Sequence, residues 1–240
     1  MYLENVVLDA LDPERLGPFW EGLLGARSLT VSPDAVEMRL DLPGGHYLDL
    51  CIVKVPEPAG PSPRLHLDLR GGDEQDAVVR RALALGGRYL DIGQLDVPWV
   101  VLADPEGTPF CVMEDRESYR RTGPVAALPL DSADPAADAA IWALTSGWQR
   151  RDADGFVELR HPSGTGPVLE LLPQGAAKEP GAKNRLHLDA RLEPGEDADT
   201  VVEQVTALGG REVDFGWGDL PWRTLQDASG NELCLLPARG

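Results

Sequence analysis

The 240-residue chain sets 40 acidic side chains against 22 basic ones, a net charge of −18. That balance repels nucleic acid and anionic lipid and attracts cations. No run of about 18 apolar residues could span a bilayer, and the opening MYLENVVLDALDPE has neither the basic nor the apolar part of a secretion signal, so the expectation is a cytoplasmic protein without nucleic-acid or membrane partners.

In chain order, residues 3–10 form a first strand, and Asp12-Pro13 then supplies a helix start. Leu16, Phe19, Trp20, Leu23 and Leu24 recur at helical spacing, and Gly25 supplies the stop. Strand-like runs follow at 26–31, 36–42 and 47–53, and the proline-rich PEPAGPSP, residues 56–63, interrupts the pattern. The order then repeats. RLHLDLR, residues 64–70, is a strand with Leu65, Leu67 and Leu69 on one face and His66, Asp68 and Arg70 on the other. A helix runs through Val78, Val79, Ala82 and Leu83 to Gly86, and strands near 88–91, 99–102 and 110–114 close the unit.

The whole arrangement recurs in the second half. DALDPERLGPFWEGLLG (9–25) matches DSADPAADAAIWALTSG (131–147), RLHLDLR matches RLHLDAR (185–191), and ALGGRYLDIGQLDVPWVVLADPEGTPFC (84–111) matches ALGGREVDFGWGDLPWRTLQDASGNELC (207–234). The offset is 121 to 123 residues, too long for a solenoid repeat. The chain therefore reads as α+β, four βαβββ units in two domains, 1–118 and 119–240, with a seam near RESYRRTGP. Helices feeding antiparallel strands predict two curved sheets, cup-shaped half-barrels with helices outside and polar strand faces lining the concavities. Four units per chain allow the cups to close within a monomer or by exchange in a homodimer.

The βαβββ order, the strand-DPERLGPFW-helix opening and the VPWVVLADPEGTPFC ending resemble the glyoxalase-like branch of the vicinal oxygen chelate superfamily, which includes glyoxalase I, bleomycin resistance proteins and extradiol dioxygenases. The resemblance covers nearly the whole chain. It implies four ligand positions per cup for a divalent metal such as zinc, nickel, manganese or iron, one on the first and one on the last strand of each unit. Carried over by motif within each half, these fall on Asn5, Asp49, His66 and Cys111 in one cup and on Ala127, Glu170, His187 and Cys234 in the other. Asp49, His66, Glu170 and His187 are the credible metal ligands of that set.

The residues admit more than one use. His66 and His187 suit hydrogen bonding to the cup wall as well as metal ligation, and Cys51, Cys111 and Cys234 suit reduced, buried thiols. Asp68 and Asp189 share a strand face with the histidines and either line the pocket or pair with Arg70 and Arg191. Trp99 and Trp222, each following a proline, suit stacking on a planar ligand, whereas Trp20 and Trp142 lie on helix core stripes. Trp217, in FGWGD, could edge an opening; His46 and His161 read as turn residues. With a single histidine per half in position, a dioxygenase site, which needs two histidines and a carboxylate, is disfavoured. The expectation is a protein that sequesters a small organic molecule, cationic or polycyclic, in one or both cups, as in resistance proteins. The alternative is a metal-dependent lyase or isomerase of glyoxalase type.

Overall fold

The computed structural model describes residues 1–57, 64–174, 178–179, 181–216 and 218–240; most of PEPAGPSP and Trp217 lie outside the described residues. The chain runs β1 (Tyr2–Ala10), α1 (Pro13–Leu24), β2 (Arg27–Val31), β3 (Ala35–Asp41), β4 (Tyr47–Lys54), β5 (Leu67–Arg70), α2 (Gln75–Ala84), β6 (Arg88–Tyr89), β7 (Val100–Ala103) and β8 (Pro109–Met113). It continues through β9 (Val125–Ser132), α3 (Pro135–Ser146), β10 (Gln149–Ala153), β11 (Phe156–Arg160), β12 (Val168–Pro173), β13 (Leu186–Arg191), α4 (Ala198–Ala207), β14 (Arg211–Glu212), β15 (Arg223–Gln226) and β16 (Glu232–Leu236). These are four βαβββ units in succession.

Helix ends follow the local chemistry. The Asp12 carboxylate accepts from Arg15 N–H at 3.2 Å, Pro13 starts α1, and Gly25 ends it in the left-handed region at φ 66°. Asp134, Pro135 and Gly147 do the same for α3. Each cap stabilises its helix by about 1 kcal/mol. RLHLDLR and RLHLDAR, nearly identical in sequence, differ in one detail. β13 includes His187, but β5 begins only at Leu67, because His66 lies opposite Pro129, which has no N–H to continue the ladder.

Two eight-stranded sheets form, and their composition crosses the sequence repeat. One has the order β14-β15-β16-β13-β1-β4-β3-β2, the other β10-β11-β12-β9-β5-β8-β7-β6. The first cup therefore joins units one and four through antiparallel β1–β13, and the second joins units two and three through β5–β9. This corrects the grouping of candidate ligands by sequence half. Asn5 and Asp49 share a cup with His187 and Cys234, and Ala127 and Glu170 share one with His66 and Cys111.

One large hydrophobic core takes residues from both sheets, including Trp20, Leu50, Phe110, Leu128, Trp142 and Leu188, and a smaller cluster surrounds Tyr119 in the second cup. Buried hydrogen bonds cross between the cups, two of them from tryptophans. Trp20 Nε1–H of α1 donates to Asp104 at 3.3 Å, in the turn after β7, and Trp142 Nε1–H of α3 donates to Asp227 at 3.0 Å, in the turn after β15. Phe19, Trp20 and Phe110 form an edge-to-face cluster with ring centroids 5.2 to 5.9 Å apart, and each pair adds roughly 1 kcal/mol beyond its area. Tight glycine geometry brings the β3–β4 and β11–β12 loops together. A Cβ on Gly44, at φ 96°, would stand 2.8 Å from Thr165 Oγ1, which itself donates to the Pro43 carbonyl.

The same loops stack His46 on His161, ring centroids 4.1 Å apart and 11° from parallel. Burial lowers the pKa of both rings, and His46 lowers that of His161 further. A group whose folded pKa is depressed takes up protons more readily unfolded, so the stabilisation is complete above about 6.5 and is lost below it. The stability difference between wild type and His161→Phe, from urea midpoints, should therefore shrink or reverse as pH falls from about 7 to 5; a constant difference would contradict the assignment.

Candidate functional site

In the first cup, strand registers align a row of side chains across the concave face. Arg39 of β3 lies opposite Asp49 of β4, Asp49 beside Asn5 of β1, Asn5 opposite Asp189 of β13, Asp189 beside Cys234 of β16, and Cys234 opposite Thr224 of β15. Period-two alternation turns Val7, Asp9, Cys51, Val53 and His187 to the same side, and these residues line an open cavity of about 560 Å³. Its walls are completed by Val36, Val55, Pro56, Trp222 and Leu236. This is the size and mixed lining of a small-molecule site.

His187, Asp189 and Cys234 present potential ligand atoms that all lie within 4.8 Å of one another, with all three residues buried. His187 Nε2 is 3.4 Å from Asp189 Oδ1, and Asn5 Nδ2–H donates to Asp189 Oδ2 at 2.9 Å. Burial lowers the imidazole pKa, but Asp189 and Cys234 outweigh it and raise the group to about 10. Five buried polar atoms on this cavity have no hydrogen-bond partner: Asn5 Oδ1, Asp9 Oδ1, His187 Nδ1, Asp189 Oδ1 and Trp222 Nε1. Such atoms are costly unless a ligand engages them.

A borderline-soft divalent ion fits this floor, where imidazole, carboxylate and thiolate are all zinc donors and the Asn5 Oδ1 acceptor has no hydrogen-bond partner. Ligation by the imidazole requires loss of its extra proton. Asp49 is placed differently from the sequence expectation. Arg39 grips both its oxygens, at 2.8 and 2.7 Å, and Asp49 is fully buried beneath that pair. Nor do Asp68 and Asp189 pair with the neighbouring arginines. Arg70 donates to the Gly123 carbonyl, and Arg191 binds Glu4 and the Pro237 carbonyl.

The second cup repeats part of the set. His66, Asp68 and Cys111 cluster as their counterparts do, with His66 Nε2 3.4 Å from Asp68 Oδ1. Burial lowers the His66 pKa, and Asp68 more than compensates. The rest of the row has become apolar: Val168, Ala127, Asp68, Cys111 and Val101 stand where the first cup has Asp49, Asn5, Asp189, Cys234 and Thr224. Burial pushes the Cys111 thiol upward, with Asp68 adding to it, which disfavours the thiolate.

The registers also correct the pairing of Asp49 with Glu170. Glu37 faces Cys51 across 14 positions of chain, whereas Glu158 faces Glu170 across 12, so the β11–β12 loop is two residues shorter and Glu170 is the counterpart of Cys51. Tyr119 enters the second cup from the linker between the halves, and its hydroxyl donates to Glu170 Oε1 at 2.9 Å. Burial raises Glu170 to about 7, against the lowering effect of that hydrogen bond and with help from Asp68. Trp99 packs beside Tyr119, with the Arg116 guanidinium 5.7 Å from its ring.

Sequence reasoning missed Tyr119, Arg39 and Glu37. RESYRR has no counterpart in the other half, and that mismatch was the available signal for Tyr119.

The glyoxalase-like domain model matches residues 5–113 and again 127–236. The chain belongs to the glyoxalase-like domain family. This glyoxalase-like protein matches no curated protein, but many solved structures share its fold. Glyoxalase I from Zea mays is 14% identical with a TM-score of 0.64, over 98% of this chain and 92% of that one. A putative dioxygenase from Bacillus subtilis is 13% identical with a TM-score of 0.60, over 100% of this chain and 86% of that one. At these identities the likeness establishes the fold of this glyoxalase-like protein, with two tandem domain matches.

Two outcomes test the geometry. Arg39→Met leaves the Asp49 carboxylate buried without its partner and should cost about 3–5 kcal/mol in urea unfolding, most of it recovered by adding Asp49→Leu. Tyr119→Phe removes the hydrogen bond that lowers Glu170, so its side-chain carboxyl should titrate above about 7 by carbon-13 NMR; an unchanged or lower value would contradict the contact.

Proposed function

We propose that the protein binds a small organic molecule in the first cup, in a sequestering or resistance role, and that the second cup is chiefly structural. The observation that carries this reading is the unequal fate of the two copies. The first concavity is an open cavity of about 560 Å³ with five unpartnered polar atoms on its lining. The second has its corresponding row covered by Tyr119 and apolar side chains.

Apolar walls of Val7, Val36, Val53, Val55 and Leu236 take the body of the ligand, and the Trp222 ring stacks on a planar part of it. Asn5, Asp189 and Glu37 favour a hydrogen-bond-donating or cationic group at the polar end. Asp9 contributes less to that preference, being paired with Lys183.

The clustering of His187, Asp189 and Cys234 supports a second reading, a metal-dependent lyase or isomerase. A bound divalent ion would polarise a substrate carbonyl. Asn5 would hold the Asp189 carboxylate in orientation, and the apolar walls would exclude water.

Titration with acridine orange, a cationic polycyclic probe, should quench tryptophan fluorescence, and Leu236→Trp, which fills the cavity, should weaken binding at least tenfold. Saturable binding that ignores Leu236→Trp would defeat the assignment to the first cup. Elemental analysis after dialysis against zinc decides between the readings: about one ion per chain, lost in His187→Ala, supports catalysis, and none supports binding alone.

A further inference from the structure

The two cups are copies, and one of them already holds a ring. In the second cup Tyr119 is only 3% exposed and belongs to a buried cluster with Val101, Cys111, Met113, Ala127 and Val168, against which Trp99 packs. By strand register, Cys111, Met113 and Ala127 correspond to Cys234, Leu236 and Asn5 of the first cup, and the VPW and LPW repeats equate Trp99 with Trp222. Those four counterparts line the open cavity, whereas Thr224 and Asp49, the counterparts of Val101 and Val168, do not. The space that the Tyr119 ring fills in one copy therefore overlaps one end of the open cavity of the other.

We propose that the first cup binds a hydroxylated six-membered aromatic ring, a phenol, in the place that the Tyr119 side chain takes in the second. The inference rests on the reading of the first cup as the ligand site. Val7, Val53 and Leu236 supply apolar contact for the ring faces and Trp222 an aromatic neighbour. At the hydroxyl end, Tyr119 donates to Glu170, whose neighbour across the strands is Glu158. The first cup places Cys51 in the position of Glu170 and keeps Glu37 in that of Glu158, so Glu37 is the carboxylate for a ring hydroxyl there. Asn5 Oδ1 is a further acceptor without a hydrogen-bond partner, and a phenol O–H or an ammonium satisfies it where a hydrocarbon ring does not.

The test uses p-cresol, the tyrosine side chain as a free molecule, with ligand-observed NMR on the full chain. Wild type should bind one equivalent, and toluene should bind at least tenfold more weakly. Leu236→Trp should weaken p-cresol at least tenfold; if that variant fails to fold, Val7→Phe gives the same readout. Tyr119→Gly, which empties the second cup, should take a second equivalent and regain melting temperature as p-cresol is added, as apolar cavities do when filled. Binding of p-cresol by Tyr119→Gly but not by wild type overturns the proposal, as does wild-type binding that ignores both filling variants. If acridine orange binds the first cup and p-cresol does not, the phenol inference falls and the ligand-site reading stands. If neither probe binds, both fall.

Discussion

Antiparallel pairing of the first strands is the constraint on which the rest of the structure depends. A βαβββ unit has one free edge on its first strand, a row of N–H and C=O groups that must be covered. β1 covers β13, and β5 covers β9. Each pairing closes two four-stranded units into a curved eight-stranded sheet, and brings Asn5 opposite Asp189 in one cup and Ala127 opposite Asp68 in the other. The site residues stand together because that ladder puts them in register.

Once the pairing is set, the two concavities diverge by a few substitutions and one inserted side chain. Asn5 and Asp49 of the first row are replaced by Ala127 and Val168 in the second, a trade of hydrogen-bonding capacity for packing. Tyr119 completes that trade by burying its ring on the apolar row and satisfying its hydroxyl on Glu170. Duplication relaxes the demand on one copy: the second cup takes Tyr119 into its concavity, and the first keeps an open cavity of about 560 Å³. The cups remain one body through the shared core and the Trp20–Asp104 and Trp142–Asp227 bridges, each joining a helix of one cup to a turn of the other.

Much of the fold was legible in the chain. Asp12, Pro13 and Gly25 bound their helix as read, and Trp20 and Trp142 are both core residues, 1% exposed. His66 lies with Cys111 and His187 with Cys234, but the carboxylate clustered with each pair is Asp68 or Asp189 rather than the Asp49 or Glu170 read as ligands. The pairing of Asp49 with Glu170 was not legible, because a two-residue difference in loop length leaves the motifs looking aligned while the register moves. Arg39, which claims Asp49, lies on a neighbouring strand of ordinary amphipathic pattern, and nothing local marks it as a partner.

The sequence by itself determined the repeating unit, its helix ends, the inward alternation of polar residues and the family, since these depend on caps, periodicity and motif order within a few tens of residues. Tertiary structure decided which units share a cup. Any first strand offers the same hydrogen-bonding edge, and only the packed core, with α1 against Phe110 and α3 against the turn at Asp227, selects unit four for unit one and unit three for unit two. It also decided which cup stayed open, because the position of Tyr119 on Glu170 spans 51 residues of chain and exists only after the second sheet has closed.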